Sequence, residues 1–396
     1  MKPRGTFSKS LRTFSTGNWL LAAIFVVGLG WMSHAFAKKL TGPIEYVALT
    51  KEAIVRNKPL EHIPAPAATK GIYMSSWVAG TTNWREELVR FIDRTELNAI
   101  VIDIKDYTGR ISFSVKDSVL NDLGYPEKRI GDIEEFINEL HAKNIYVIGR
   151  IAVFQDPHLA RLRPDLAIKG SSGVAWKDKQ GISWVDPASR EVWDIAIRIG
   201  KEAESVGFDE LNFDYVRFPS DGNLRDMHYP FWDGKTPKAE VISSFFAYLS
   251  EHLSSLPVPI SADLFGLTTW NKDDLNIGQV LESALPHFDY ISPMVYPSHY
   301  PPGFQGYKNP AEHPYEVIKT AMERARNRAV AIGESPQKLR PWIQDFDLGA
   351  TYDASMIKLQ KQAVYDAGLS GWLSWDPSNK YTRGGYDEVY VDKPAL

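Results

Sequence analysis

A carboxylate interrupts a strand-like run in FDELNFDYVRFP, residues 208–219. Side chains alternate along a strand, so Leu211, Phe213 and Tyr215 take one face and Asn212, Asp214 and Val216 the other. The corresponding face of other apolar runs ends in a mostly polar set: Asp103 and Lys105 in 98–106, Arg150 in 144–154, Ser261 and Asp263 in 259–266, Met294 and Tyr296 in 290–297, Gln344 in 340–346, Ser374 and Asp376 in 371–377. A lone aspartate there reads as an ion pair or a strand-end cap, with Lys105 and Arg150 as ready partners. Several carboxylates at one height read differently. Burying charge is costly unless it is paired or used, and such a ring places an acid and a base within reach of one bond.

The elements that must hold these residues are legible from period. Eight strand runs, 71–77, 98–106, 144–154, 210–219, 259–266, 290–297, 340–346 and 371–377, alternate with helical patterns. Asn83 and Glu86 form a capping-box-like start before Leu88, Phe91 and Ile92; Ile130, Ile133, Ile137 and Leu140 keep helical spacing; Asp186-Pro187 opens a helix through Ile195 and Ile199. Eight strand–helix repeats over about 300 residues predict an α/β fold, a (β/α)8 TIM barrel, whose functional residues gather at the C-terminal ends of the strands. The rival, a doubly wound sheet, lacks its G-x-G-x-x-G turn, and there is no P-loop, so nothing calls for a nucleotide cofactor.

The chain has 396 residues with a formal net charge of −4, which leaves no basic footprint for nucleic acid. With no cysteine, disulfides, thiolate nucleophiles and Cys-ligated metals are excluded. The nine histidines show no H-x-H or H-E-x-x-H spacing, and no metal site is expected; Asp103, Asp106 and Asp214 offer the one set of hard-cation ligands. Twelve Trp and 18 Tyr are many for this length. Trp77, Trp184, Trp232, Trp270, Trp342 and Trp375 fall at strand ends or in the following loops, where flat rings with a polar edge suit the C–H faces of sugars.

Four basic residues precede the apolar run 19–32, and Ala35-Phe36-Ala37 ends in a cleavage-site pattern. Residues 1–37 therefore read as a signal peptide, or as an uncleaved membrane anchor over 19–37. Either reading exports the rest, to the periplasm or the outside of the cell. A linker or extended arm over 38–70, the barrel over 71–380 and a tail over 381–396, a surface strap or partly disordered, complete the expected organisation.

The runs GIYMSSWVAG, VIDIKDYTGRISF, IGRIAVFQDP, FDELNFDYVRFPSDG, ISADLFG, YISPMVYPSHY and GWLSWDPSN, in that order, resemble a bacterial family of glycosidase-like TIM-barrel domains of unknown function, almost throughout residues 70–380. The resemblance implies a glycoside hydrolase acting on a carbohydrate, and it transfers no catalytic assignment. Strand position and analogy with other barrels supply the roles: Asp214 as nucleophile or base, Asp263 as acid, with Asp376 and then Asp103 as its substitutes. Arg150 and Asn212 would orient Asp214 and contact a sugar hydroxyl, while Tyr296 and Trp375 would wall subsites. Two rival readings use the same residues: a carbohydrate-binding pseudoenzyme, in which the aromatics matter and the acids do not, and a structural envelope protein whose acids only form ion pairs.

Overall fold

The computed structural model describes residues 61–389. The signal or anchor segment and the first part of the arm lie outside them. No helix among the described residues is long and apolar enough to cross a membrane.

Eight parallel strands close in sequence order into a barrel: β1 (Lys70–Met74), β2 (Ala99–Lys105), β3 (Tyr146–Ala152), β4 (Glu210–Asp214), β5 (Ile260–Phe265), β6 (Tyr290–Met294), β7 (Trp342–Gln344) and β8 (Trp372–Trp375). All eight expected strands are present, each shorter than its apolar run, because the pattern continues past the last ladder bond into buried loop. Ile100, Ile102 and Ile104 of β2 point outward into the helix layer and are fully buried, each contributing about 1.5–3 kcal/mol relative to exposure. The opposite parity fills the lumen with Ala99, Val101, Tyr146, Ile148, Trp342 and Leu373.

Helix starts differ from the sequence patterns. The helix Thr82–Ile92 begins after Thr81, without a capping box at Asn83. The helix Ile133–Ala142 excludes Ile130, which is buried in the preceding turn. The helix Arg190–Ser205 starts four residues past Asp186. That carboxylate instead accepts the backbone N–H groups of Ala188, Phe231 and Trp232, tying the loop after β4 to the loop before the helix.

The N-terminal end of the barrel is shut. Ile63 and Ala65 of the arm pack against the lumen cluster, and the Ile63 N–H donates to Asp209 at 2.9 Å. Above them Glu210, fully buried, meets the Arg340 guanidinium and accepts from the Ser261 hydroxyl at 2.6 Å and the Tyr146 hydroxyl at 3.1 Å. Truncating one partner of a buried ion pair strands the other charge, so Glu210→Ala should lose about 3–5 kcal/mol in a denaturant titration. A loss under 1 kcal/mol would show that water reaches Arg340.

The described part of the tail, residues 381–389, forms a strap with buried anchors at Tyr381 and Tyr386. The Tyr381 hydroxyl donates to the Tyr73 carbonyl at 2.6 Å, and the Tyr386 hydroxyl sits 2.7 Å from both Ser374 Oγ and Asp345 Oδ2.

Candidate active site

At the C-terminal ends of the strands a cavity of about 490 Å³ opens, a volume suited to one or two small rings. Asp214 and Asp263 stand in its wall with Arg150, Tyr296 and Trp375. Asp214 is the last residue of β4, and the chain leaves the sheet at once: Tyr215 has φ +53°, a left-handed conformation that a bulky side chain rarely adopts. This turn brings the Tyr215 N–H onto Asp214 Oδ1 at 2.5 Å. Strain of this kind concentrates at functional sites.

Arg150 clamps the other oxygen. Its Nε and Nη2 donate to Asp214 Oδ2 at 3.0 and 2.5 Å, while Nη1 donates to Asp103 Oδ1 at 2.7 Å. The Tyr73 hydroxyl donates to Asp103 Oδ2 at 2.6 Å. Asp103 thus lies behind Arg150, outside the cavity lining, and fixes the arginine that fixes Asp214. Burial pushes the Asp103 carboxyl upward, opposed by the Arg150 charge and the Tyr73 hydrogen bond.

Asp263 on β5 is 1 % exposed. Its Oδ1 accepts two hydrogen bonds, from Asn212 Nδ2 at 3.0 Å and Trp342 Nε1 at 2.8 Å. Its Oδ2 stands 3.8 Å from Arg150 Nε. Burial first, and then the Asp214 charge, push this carboxyl up to about 8, against Arg150 and the two hydrogen bonds. Because Oδ1 is occupied by two donors, the proton belongs on Oδ2. One Arg150 Nε lies 3.0 Å from Asp214 Oδ2 and 3.8 Å from Asp263 Oδ2, so these oxygens are at most 6.8 Å apart.

Of the residues expected at the site, Asp214, Asp263, Arg150, Tyr296 and Trp375 line the cavity together; Asp103 lies outside the lining and holds Arg150, and Asn212, also outside it, donates to Asp263 and Ser261 and not to Asp214 as expected. Asp376 does not join them. Its carboxylate accepts the backbone N–H groups of Ser378 at 2.7 Å and Lys380 at 3.1 Å, a turn cap at the end of β8. The parity expected for β8 is reversed: Leu373 and Trp375 face the lumen, while Ser374 turns outward to Tyr386. Lys105 reaches past Asp103 to Asp156 at 2.9 Å, and Asp106 pairs with Arg129 at 2.6 Å, so the acidic set considered for a cation does not converge. Among the described residues no group of three or more His, Asp or Glu could hold a metal ion.

The sequence pattern did not single out Arg217, Tyr73, Phe265 or His299, and Trp342 appeared there only as an aromatic at a strand end. Trp342 proves to be a hydrogen-bond donor to the buried acid. Trp184 lies under Arg217 instead of in the cavity wall, and Trp77 is half exposed, covered by Arg129 at 4.2 Å.

Among solved structures, the chain shares its fold with the glycoside hydrolase domain of PgaB (BpsB) from Bordetella bronchiseptica, at 11 % identity over 81 % of this chain and 99 % of that one, with a TM-score of 0.58. It also matches alpha-L-fucosidase isoenzyme 2 from Paenibacillus thiaminolyticus, at 11 % identity over 80 % of this chain and 48 % of that one, with a TM-score of 0.55. A hypothetical protein from Ruminiclostridium thermocellum is 33 % identical over 52 % of this chain and 98 % of its own, with a TM-score of 0.45. No curated protein matches. A family model described as "Putative glycosyl hydrolase domain" covers residues 71–381, and the chain belongs to that family.

Proposed function

We propose that the cavity hydrolyses a glycosidic bond, with Asp263 as general acid and Asp214 as nucleophile. The observation that carries the reading is the division of labour between two neighbouring carboxyl groups, one clamped by a guanidinium and one held protonated by burial and by its neighbour's charge. Asp263 Oδ2–H would protonate the leaving oxygen while Asp214 attacks the anomeric carbon, and Asp263, now a base, would then deprotonate the hydrolytic water. Oxygens at most 6.8 Å apart favour the retaining spacing of about 5–5.5 Å over the inverting range of about 6.5–9.5 Å. Trp375 and Tyr296 supply aromatic walls. The two relatives in fold that are named as a glycoside hydrolase domain and a fucosidase support the reaction class by analogy.

The export pattern of residues 1–37 supports an envelope or extracellular polysaccharide as substrate. The test is reducing-end release from a panel of such polymers by the full chain. The acid must carry its proton, so kcat/KM should fall as pH rises through about 8, the value for Asp263. Glycan binding without any release across the panel would instead establish a carbohydrate-binding pseudoenzyme.

A further inference from the structure

Arg217 is a buried cation with no ion pair among the described residues. It is 8 % exposed and lines the same cavity as Asp214 and Asp263. Its Nη1 donates to the Phe218 carbonyl at 3.1 Å and the Ser220 hydroxyl at 3.3 Å; its Nε and Nη2 have no hydrogen-bond partner and the side chain no ion pair among the described residues. The carboxylates in its neighbourhood are already engaged. Asp214 belongs to Arg150, Asp178 accepts from Gln155 and Trp184, and Asp221 caps Lys179. Burial disfavours the Arg217 charge and holds its pKa below the usual arginine value, against the partial support of Tyr215, Asp214, Asp221 and Asp178 nearby.

Three aromatic rings fix the orientation of this guanidinium. Its Cζ lies 4.6 Å from the Phe265 ring centre, 4.8 Å from Trp184 and 5.3 Å from Tyr215. What remains unpaired is the Nε/Nη2 edge, the same edge with which Arg150 takes Asp214. Two parallel N–H donors on that edge match a planar carboxylate, and the rings have already removed the rotamer freedom that binding would otherwise cost. Arg150 Cζ stands 6.0 Å from the Tyr215 ring centre, so the two guanidinium carbons are at most 11.3 Å apart, with Arg217 at 5.3 Å from it. A group on Arg217 therefore belongs to the sugar at the cleaved bond or to its neighbour. His299, on the same cavity, is held below its usual range by burial and supplies no competing charge near neutral pH.

We propose that Arg217 is an anion-recognition residue and that the glycan is acidic, carrying a carboxylate on a sugar at or beside the cleaved bond; this rests on the glycosidase reading of the cavity. The probes are oligogalacturonate and hyaluronan oligosaccharides, each beside its carboxyl-reduced neutral counterpart, titrated calorimetrically into the full chain. A charge-assisted pair held in place predicts about tenfold or tighter binding of at least one acidic probe over its reduced form. Arg217→Gln should bring that ratio toward one, and Arg217→Lys, which keeps the charge and loses the fork, should fall between. Equal affinity of the wild type for every acidic and reduced pair, or no acidic probe bound, overturns the proposal without needing either variant to fold. Preference for a sulfated neutral oligosaccharide over the carboxylated probes overturns the carboxylate assignment. Because binding is read without turnover, an acid preference with no hydrolysis removes the glycosidase reading and leaves the subsite standing.

Discussion

Asp214→Asn should reduce turnover at least about 10³-fold while glycan binding persists. The substitution keeps the shape at the end of β4 and removes the charge that must form a bond to, or stabilise, an oxocarbenium-like carbon. An amide cannot do either, so the loss appears in kcat and kcat/KM together, as for an interaction made only in the transition state. A second consequence follows from the site's electrostatics. The Asp214 charge helps to hold the proton on Asp263, so removing it lowers the Asp263 value and moves the alkaline limb of any residual activity to a pH below about 8. Arg150 keeps its bond to Asp103, and the asparagine carbonyl can still accept from its Nε and Nη2, so the clamp loses a charge and not its geometry. With a substrate in hand, product release by the wild type should retain the anomeric configuration, as proton NMR of the first product formed would record. Unimpaired turnover by Asp214→Asn would remove this residue from the chemistry, and an inverted product would recast it as a base.

The strands were readable because a parallel barrel buries both faces of each one, and long apolar runs with a period-two polar interruption survive without tertiary information. Asp214, Asp263 and Arg150 were found by that interruption. The same rule failed where the chain stops alternating. Arg217 shares the parity of Leu211 and Phe213, so strand logic turns it toward the helices; the left-handed Tyr215 ends the alternation one residue after Asp214 and lets Arg217 face the cavity. Asp376 failed for the opposite reason. GWLSWDP carries a tryptophan at each parity, and placing the polar Ser374 inside ignored a tail tyrosine, 12 residues away, that satisfies its hydroxyl on the outer side. Such partners are set by tertiary packing, which local period does not encode. The Asn212 and Trp342 donors to Asp263 come from different strands, β4 and β7, and only closure of the barrel brings them to one oxygen.

Those two donors make the outcome of Asp263→Asn specific. An asparagine at this position can keep its carbonyl oxygen under Asn212 and Trp342 and present its NH2 group where Oδ2 now carries the proton. The fold should therefore tolerate it. The sign of the linkage sharpens this: a carboxyl raised to about 8 in the folded chain, from 3.8, binds a proton there that the unfolded chain has released, so its contribution to stability declines as pH rises from about 4 to 8. The amide has no such dependence, and the variant should gain in melting temperature relative to wild type as pH rises across that window. Catalysis should move the other way. The amide cannot donate a proton to a leaving alkoxide, so hydrolysis of glycosides with sugar leaving groups should fall about 10²–10⁴-fold, while activated aryl glycosides, whose phenolate departs with little proton help, should lose far less. The alkaline limb near pH 8 should disappear with the group that causes it. Equal losses on both substrate types would mean that Asp263 positions the site and does not donate the proton, and an alkaline limb that persists would assign it to another group.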